Sequence, residues 1–210
     1  YHRTAEQGYQ LAKINGVPIR VLKTSRFAQA TVILSFRLRI SRHEASLFSL
    51  LSRLMTASCR RYPSRSSLSA ALDNLYGATL ENDVSKDGDL LNLHFAVTAL
   101  MSWTNQTSPF AAALDLLFDL VTDPDLDEDG HFSAALFAAE REGLRMELLA
   151  RENDKAKYAL DQCMHLLCGD QPFGLRATGD LATLETIQRE DLVAAYRRLI
   201  DSLELQVAIA

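Results

Sequence analysis

Along the chain, alternation of apolar and polar positions marks the strands, and three- and four-residue spacing marks the helices. Val17, Ile19 and Val21 alternate with Pro18 and Arg20. This predicts a short strand at a sheet edge, because proline cannot donate to a ladder. Ala30, Val32, Leu34, Phe36, Leu38 and Ile40 then alternate with Thr31, Ile33, Ser35, Arg37 and Arg39, which predicts a strand with one buried and one wetter face. The period switches from His43 to Arg60. Leu47, Leu50, Leu51, Leu54 and Met55 form the apolar stripe of a helix, and Ser46, Ser49, Arg53 and Thr56 lie on its other face. Pro63 breaks the pattern, and a second helix runs from Ser67 to Tyr76 before Gly77.

Leu80, Asn82 and Val84 alternate with Glu81, Asp83 and Ser85 in a further strand, and Leu91–Ala99 returns after the Lys86–Asp89 turn. Helical spacing follows over Ser108–Val121 and over a long stretch from about Asp127 to Glu152, weakened internally by Gly143. Asn153 is placed to cap another helix through Cys168, closed by Gly169. Gly169–Gly179 reads as a loop, Glu190–Asp201 as a helix, and Leu203, Leu205, Val207 and Ile209 as a last strand. The order β-β-α-α-β-β-α-α-α-α-β predicts an α+β fold, a mainly antiparallel sheet with helices packed on one face. No linker or repeat divides residues 1–210, so one domain is expected.

Composition narrows the function. Hydrophobic residues make up 48% and charged residues 23% of 210, which suits a globular core and excludes wholesale disorder. The net charge of −5 gives no footprint for nucleic acid or for an anionic membrane surface. No apolar run approaches the roughly 18 residues of a membrane span. Three cysteines, Cys59, Cys163 and Cys168, suggest reduced thiols and a cytoplasmic location. The absence of an initiator methionine and the apolar close LELQVAIA suggest a segment of a longer protein.

Glycine-rich phosphate loops and the GxSxG elbow are absent. Cys163, His165 and Cys168 sit in one predicted helix, where their spacing splays them apart; buried thiols and a partly exposed histidine are the simpler expectation. His2, His43, His94 and His131 are scattered, and the acidic run Asp123–Asp129 lacks calcium-loop spacing and reads as the solvated start of a helix. The most informative pair is Glu140 and Glu147. Seven residues apart on a helix, they return to nearly one face. Such a pair is either an acidic solvated stripe or a ligand with its supporting carboxylate.

Taken in order, these features resemble the insulinase, pitrilysin and mitochondrial processing peptidase family of zinc peptidases. Glu140 and Glu147 match the family's Glu-x6-Glu. Pro172-Phe173-Gly174, then Gly179, Leu184, Ile187 and Glu190-Asp191-Leu192, match its P-[FY]-G…G…I…EDL stretch, and Leu75-Tyr76-Gly77-Ala78 is typical of a bacterial subgroup. The resemblance implies that HxxEH should lie on the first long helix. There two histidines would ligate zinc and a glutamate would activate water. The matching stretch is Ser49-Leu50-Leu51-Ser52-Arg53. Ser49 and Arg53 replace the histidines, and Ser52 replaces the base. No catalytic residue, metal or other cofactor is therefore expected; Glu140 and Glu147 remain as remnants.

The resemblance implies the N-terminal half of such a protein, with the second half absent from this chain. It also implies a non-catalytic homologue that binds extended peptide or braces a catalytic subunit of the family. The alternatives are an active zinc metalloendopeptidase whose metal site lies elsewhere, for which zinc would be the cofactor, and a purely structural subunit. The expected partners are a second homologous half or catalytic subunit and an extended peptide, with neither nucleic acid nor membrane.

Overall fold

A computed structural model describes residues 9–24, 26–101, 108–202 and 204–210. The strands are β1 (Tyr9–Ile14), β2 (Val17–Leu22), β3 (Gln29–Arg39), β4 (Thr79–Asp87), β5 (Leu90–Leu100) and β6 (Glu204–Ile209). They form one sheet in the order β1-β2-β6-β3-β5-β4. Every pairing is antiparallel except β2 with β6. The helices are α1 (Arg42–Met55), α2 (Arg65–Asn74), α3 (Pro109–Thr122), α4 (Ala134–Ala150), α5 (Lys155–Cys168), α6 (Leu181–Thr186) and α7 (Arg189–Ser202). This is the α+β architecture that the pattern predicts.

The alternation in β3 and β5 explains the layering. Val32, Leu34 and Phe36 pair in register with Val97, Phe95 and Leu93, and all six are buried on one face. Phe48, Leu50, Leu51 and Leu54 of α1 and Leu117 and Val121 of α3 join the same core. The opposite face carries Thr31, Ile33, Ser35, His94 and Thr98, each only half-buried. Removing two fully buried leucines' worth of such contact would cost several kcal/mol, since each Leu→Ala in a core costs about 2–5 kcal/mol. No helix among the described residues is long and apolar enough to cross a membrane.

Several boundaries differ from the sequence reading. β1 was not expected. It is exposed along its whole length, so it has no buried face to betray it. Its signal is the Asn15-Gly16 turn, where both residues have positive φ, 49° and 88°, as a tight hairpin requires. With β1 outside it, β2 is an inner strand rather than an edge. Pro18 is tolerated because β6 pairs only with Ile19–Val21. The long helix begins at Ala134, not near Asp127. The acidic run instead forms a turn in which Asp127 Oδ1 accepts from the amides of Asp129 (3.1 Å) and His131 (2.9 Å). Asp154, rather than Asn153, caps α5, accepting from Lys157 N at 3.0 Å. The short α6 was missed; Asp180 caps it through Thr183 N at 3.0 Å. Leu203 and His2 lie outside the described residues.

Candidate functional site

The polar side of α1 is not solvated. Ser46, Ser49 and Ser52 are 0%, 3% and 1% exposed. Residues 177–180 lie across this side and take up its hydroxyls. Ser46 Oγ donates to Asp180 O (3.4 Å) and accepts from Asp180 N (3.1 Å). Ser49 Oγ donates to Ala177 O at 3.3 Å. Gly179, at φ 78°, lets the backbone come this close, because a Cβ there would run into Ser46. Ser52 Oγ turns back to Ser49 O (3.0 Å) and accepts from Asn82 Nδ2 of β4 (3.3 Å). Each buried hydroxyl is thus satisfied, as burial demands.

One turn below Ser49, Arg53 reaches α4. Its Nε donates to Glu140 Oε2 (3.3 Å) and its Nη1 to Glu147 Oε2 (3.0 Å). The seven-residue spacing therefore does what helical geometry predicts: both carboxylates meet one guanidinium. Glu140 is 3% exposed and takes a second cation, Arg65 from α2, on its other oxygen. A carboxylate buried this deeply needs such pairing, since an unpaired buried charge costs several kcal/mol. Gly143 lies between the two glutamates on α4. A Cβ there would meet Arg53 Nη2 at 2.8 Å. The glycine that weakens the helix is what lets the guanidinium lie against it.

Ser49, Ser52, Arg53, Asn82, Glu147 and Thr178 line one cleft of about 150 Å³ between α1, α4 and β4. Its donor set does not fit zinc. Two neutral hydroxyls stand on one side, and the permanently charged guanidinium already holds both carboxylates that a dication would need. Among the described residues, no group of three or more His, Cys, Asp or Glu side chains is placed to hold a metal.

The other candidates are apart from this cleft. Cys163 is exposed and Cys168 half-buried, which overturns the expectation of buried thiols: α5 has no buried residue at all. Cys59 is buried elsewhere, and burial pushes its thiol pKa up. His94 hydrogen-bonds Ser35 across the open sheet face at 2.8 Å, through Nδ1. Pro172-Phe173-Gly174 forms a single 3-10 turn packed on α5.

Sequence reasoning missed Arg65, Asn82, Gly143 and the covering segment 177–180. Arg65 and Asn82 carry no local signal, because they reach the cleft from separate elements. Gly143 had one: it falls three residues after Glu140 and four before Glu147, on the face they share.

No protein-family model matches the chain. It is 24% identical over 200 residues to "Probable inactive metalloprotease YmfF" of Bacillus subtilis (strain 168), covering 93% of this chain and 47% of that protein. A conserved protein from Enterococcus faecalis V583 superposes with a TM-score of 0.87 at 25% identity, over 96% of this chain and 48% of that one. The peptidase M16 inactive domain from Pseudomonas fluorescens superposes with a TM-score of 0.75 at 16% identity, over 96% and 46%. The chain spans about half the length of these relatives. In fold and in extent of match it is similar to these proteins, two of them named as inactive and one as an M16 peptidase domain, and its sequence carries no HxxEH motif.

Proposed function

We propose that the chain is the first half of a non-catalytic insulinase-family protein, which holds extended peptide or braces a catalytic subunit together with a second homologous half. One observation carries this reading. The Arg53 guanidinium is bound to both Glu140 and Glu147, so a fixed cation occupies the carboxylate pair that the family resemblance assigns to the metal site. The names of two relatives, an inactive metalloprotease and an inactive M16 domain, agree with it. Peptide would add to β4, an edge strand whose Asn82 already borders the cleft. Free main-chain groups on such an edge take an extended chain by strand addition. Three free thiols suit a bacterial cytoplasm.

The test is elemental analysis of chelator-free protein, with a peptidase assay on unfolded polypeptide. The expected result is no stoichiometric zinc and no turnover. One zinc per chain, lost on Glu147→Ala, would instead establish the active metallopeptidase reading. Binding of labelled unfolded polypeptide, weakened by a proline placed in β4, separates the peptide-holding role from a purely structural one.

A further inference from the structure

We propose that α5 and the segment after it, residues 155–176, form a flap that swings away from α1 and β4 as one unit and is latched shut by Lys86. The first observation is how little anchors α5. It is a helix of fourteen residues with none buried. Leu160, Leu166 and Leu167 are 62%, 84% and 75% exposed, so they fix it to nothing among the described residues. Its substantial packing is confined to the single turns on either side, Arg151–Asn153 and Pro172–Gly174. Between α5 and α1 lies a space of about 270 Å³, bordered by Arg42, Ala45, Gln162, His165 and Asp180. Few buried apolar contacts and an open boundary are the marks of a segment that opens locally before the rest unfolds.

What closes the flap is polar. Lys86, near the end of β4, donates its three ammonium hydrogens to three main-chain carbonyls: Pro172 O (3.1 Å), Phe173 O (3.0 Å) and Leu175 O (2.7 Å). The Phe173 ring lies 6.0 Å from the same ammonium. Partial burial pulls the Lys86 pKa below the ordinary lysine value, as expected for an ammonium turned inward. A second tie is the Arg42–Asp170 ion pair, just after the C-terminal end of α5. The Arg176–Asp161 pair at 3.2 Å couples α5 to the backbone that follows it, so the two move together. Ser49 and Ser46 then pin that backbone to α1 at Ala177 and Asp180. One hinge therefore lies just before Ala177, and the other is the Arg151–Asn153 turn. Opening would uncover the side of α1 that carries Arg42 and Ala45. The inference concerns motion and does not depend on peptide binding.

Hydrogen exchange read by mass spectrometry on the full chain tests it. Amides of α5 should exchange at least about tenfold faster than those of α1. Lys86→Met should raise α5 exchange a further severalfold while α1 and β5 stay unchanged. If α5 is as protected as α1, there is no flap. If Lys86→Met changes nothing, or raises exchange evenly over the whole chain, Lys86 is no latch. Should Lys86→Met fail to fold, Arg42→Gln must give the same regional rise; an even rise or none overturns the proposal.

Discussion

Replacing Arg53 by methionine should destabilise the protein far more than a surface ion pair would. Methionine keeps most of the stem's packing and removes the charge, leaving Glu140 at 3% exposed with Arg65 as its remaining cation. Stripping a partner from a buried pair costs about 3–5 kcal/mol when nothing replaces it. Arg65 still holds one oxygen, so roughly half of that is expected, about 2 kcal/mol. Glu147 is half-exposed and adds only a few tenths, roughly 0.5 kcal/mol at most. For a chain of this size each kcal/mol moves Tm by about 2–4 °C, so a drop of roughly 4–8 °C should follow. Urea unfolding at constant slope gives the free energy directly. The decisive comparison adds Glu140→Gln, which removes the stranded charge. The double variant should be more stable than the sum of the single losses by about 1–2 kcal/mol. A loss below about 0.5 kcal/mol for Arg53→Met, or additivity within about 0.5 kcal/mol, would refute the view that Arg53 neutralises a buried carboxylate.

Three further outcomes follow from the same geometry. Gly143→Ala, which in a helix interior usually stabilises by about 0.5–1 kcal/mol, should gain nothing or lose stability here, because its Cβ would meet Arg53 Nη2 at 2.8 Å; the gain should reappear in an Arg53→Met background, and an equal effect in both backgrounds would discount the contact. The triple change Ser49→His, Ser52→Glu, Arg53→His should create zinc binding that is lost on adding Glu147→Ala, measured by calorimetric titration; a folded triple variant that binds no zinc would show that these positions do not converge as the cleft implies. Tyr196 is pushed up to about 12, chiefly by burial and then by Asp123 and Asp201, so its neutral form is favoured in the fold. The stability it contributes is intact below pH 10, and it should fall away as pH rises from about 10 toward 12. Ultraviolet titration should show one late phenol that disappears in Tyr196→Phe.

Local chemistry made a large part of this protein legible. β3 and α1 could be read because one face of each is continuously apolar, and periodicity reports burial when only one face is buried. Glu140 and Glu147 could be paired because a helix fixes the direction of residues seven apart. The absence of HxxEH was visible outright, since none of the five histidines is followed by Glu and His at that spacing.

Other features were decided only by the tertiary structure. β1 is exposed on both faces, and α5 buries no residue, so neither stamps a burial pattern on its sequence. β6, last in the chain, inserts between β2 and β3, a pairing of residues almost a whole chain apart that no local signal encodes. The serines of α1 read only as the face opposite its apolar stripe; they are buried because the backbone of residues 177–180, remote in sequence, supplies partners for Ser46 and Ser49. Arg65 and Asn82 join the cleft for the same reason. Sequence specifies what each segment can bury and which groups it must satisfy. Which distant segment does the burying and the satisfying is fixed only when the elements pack together.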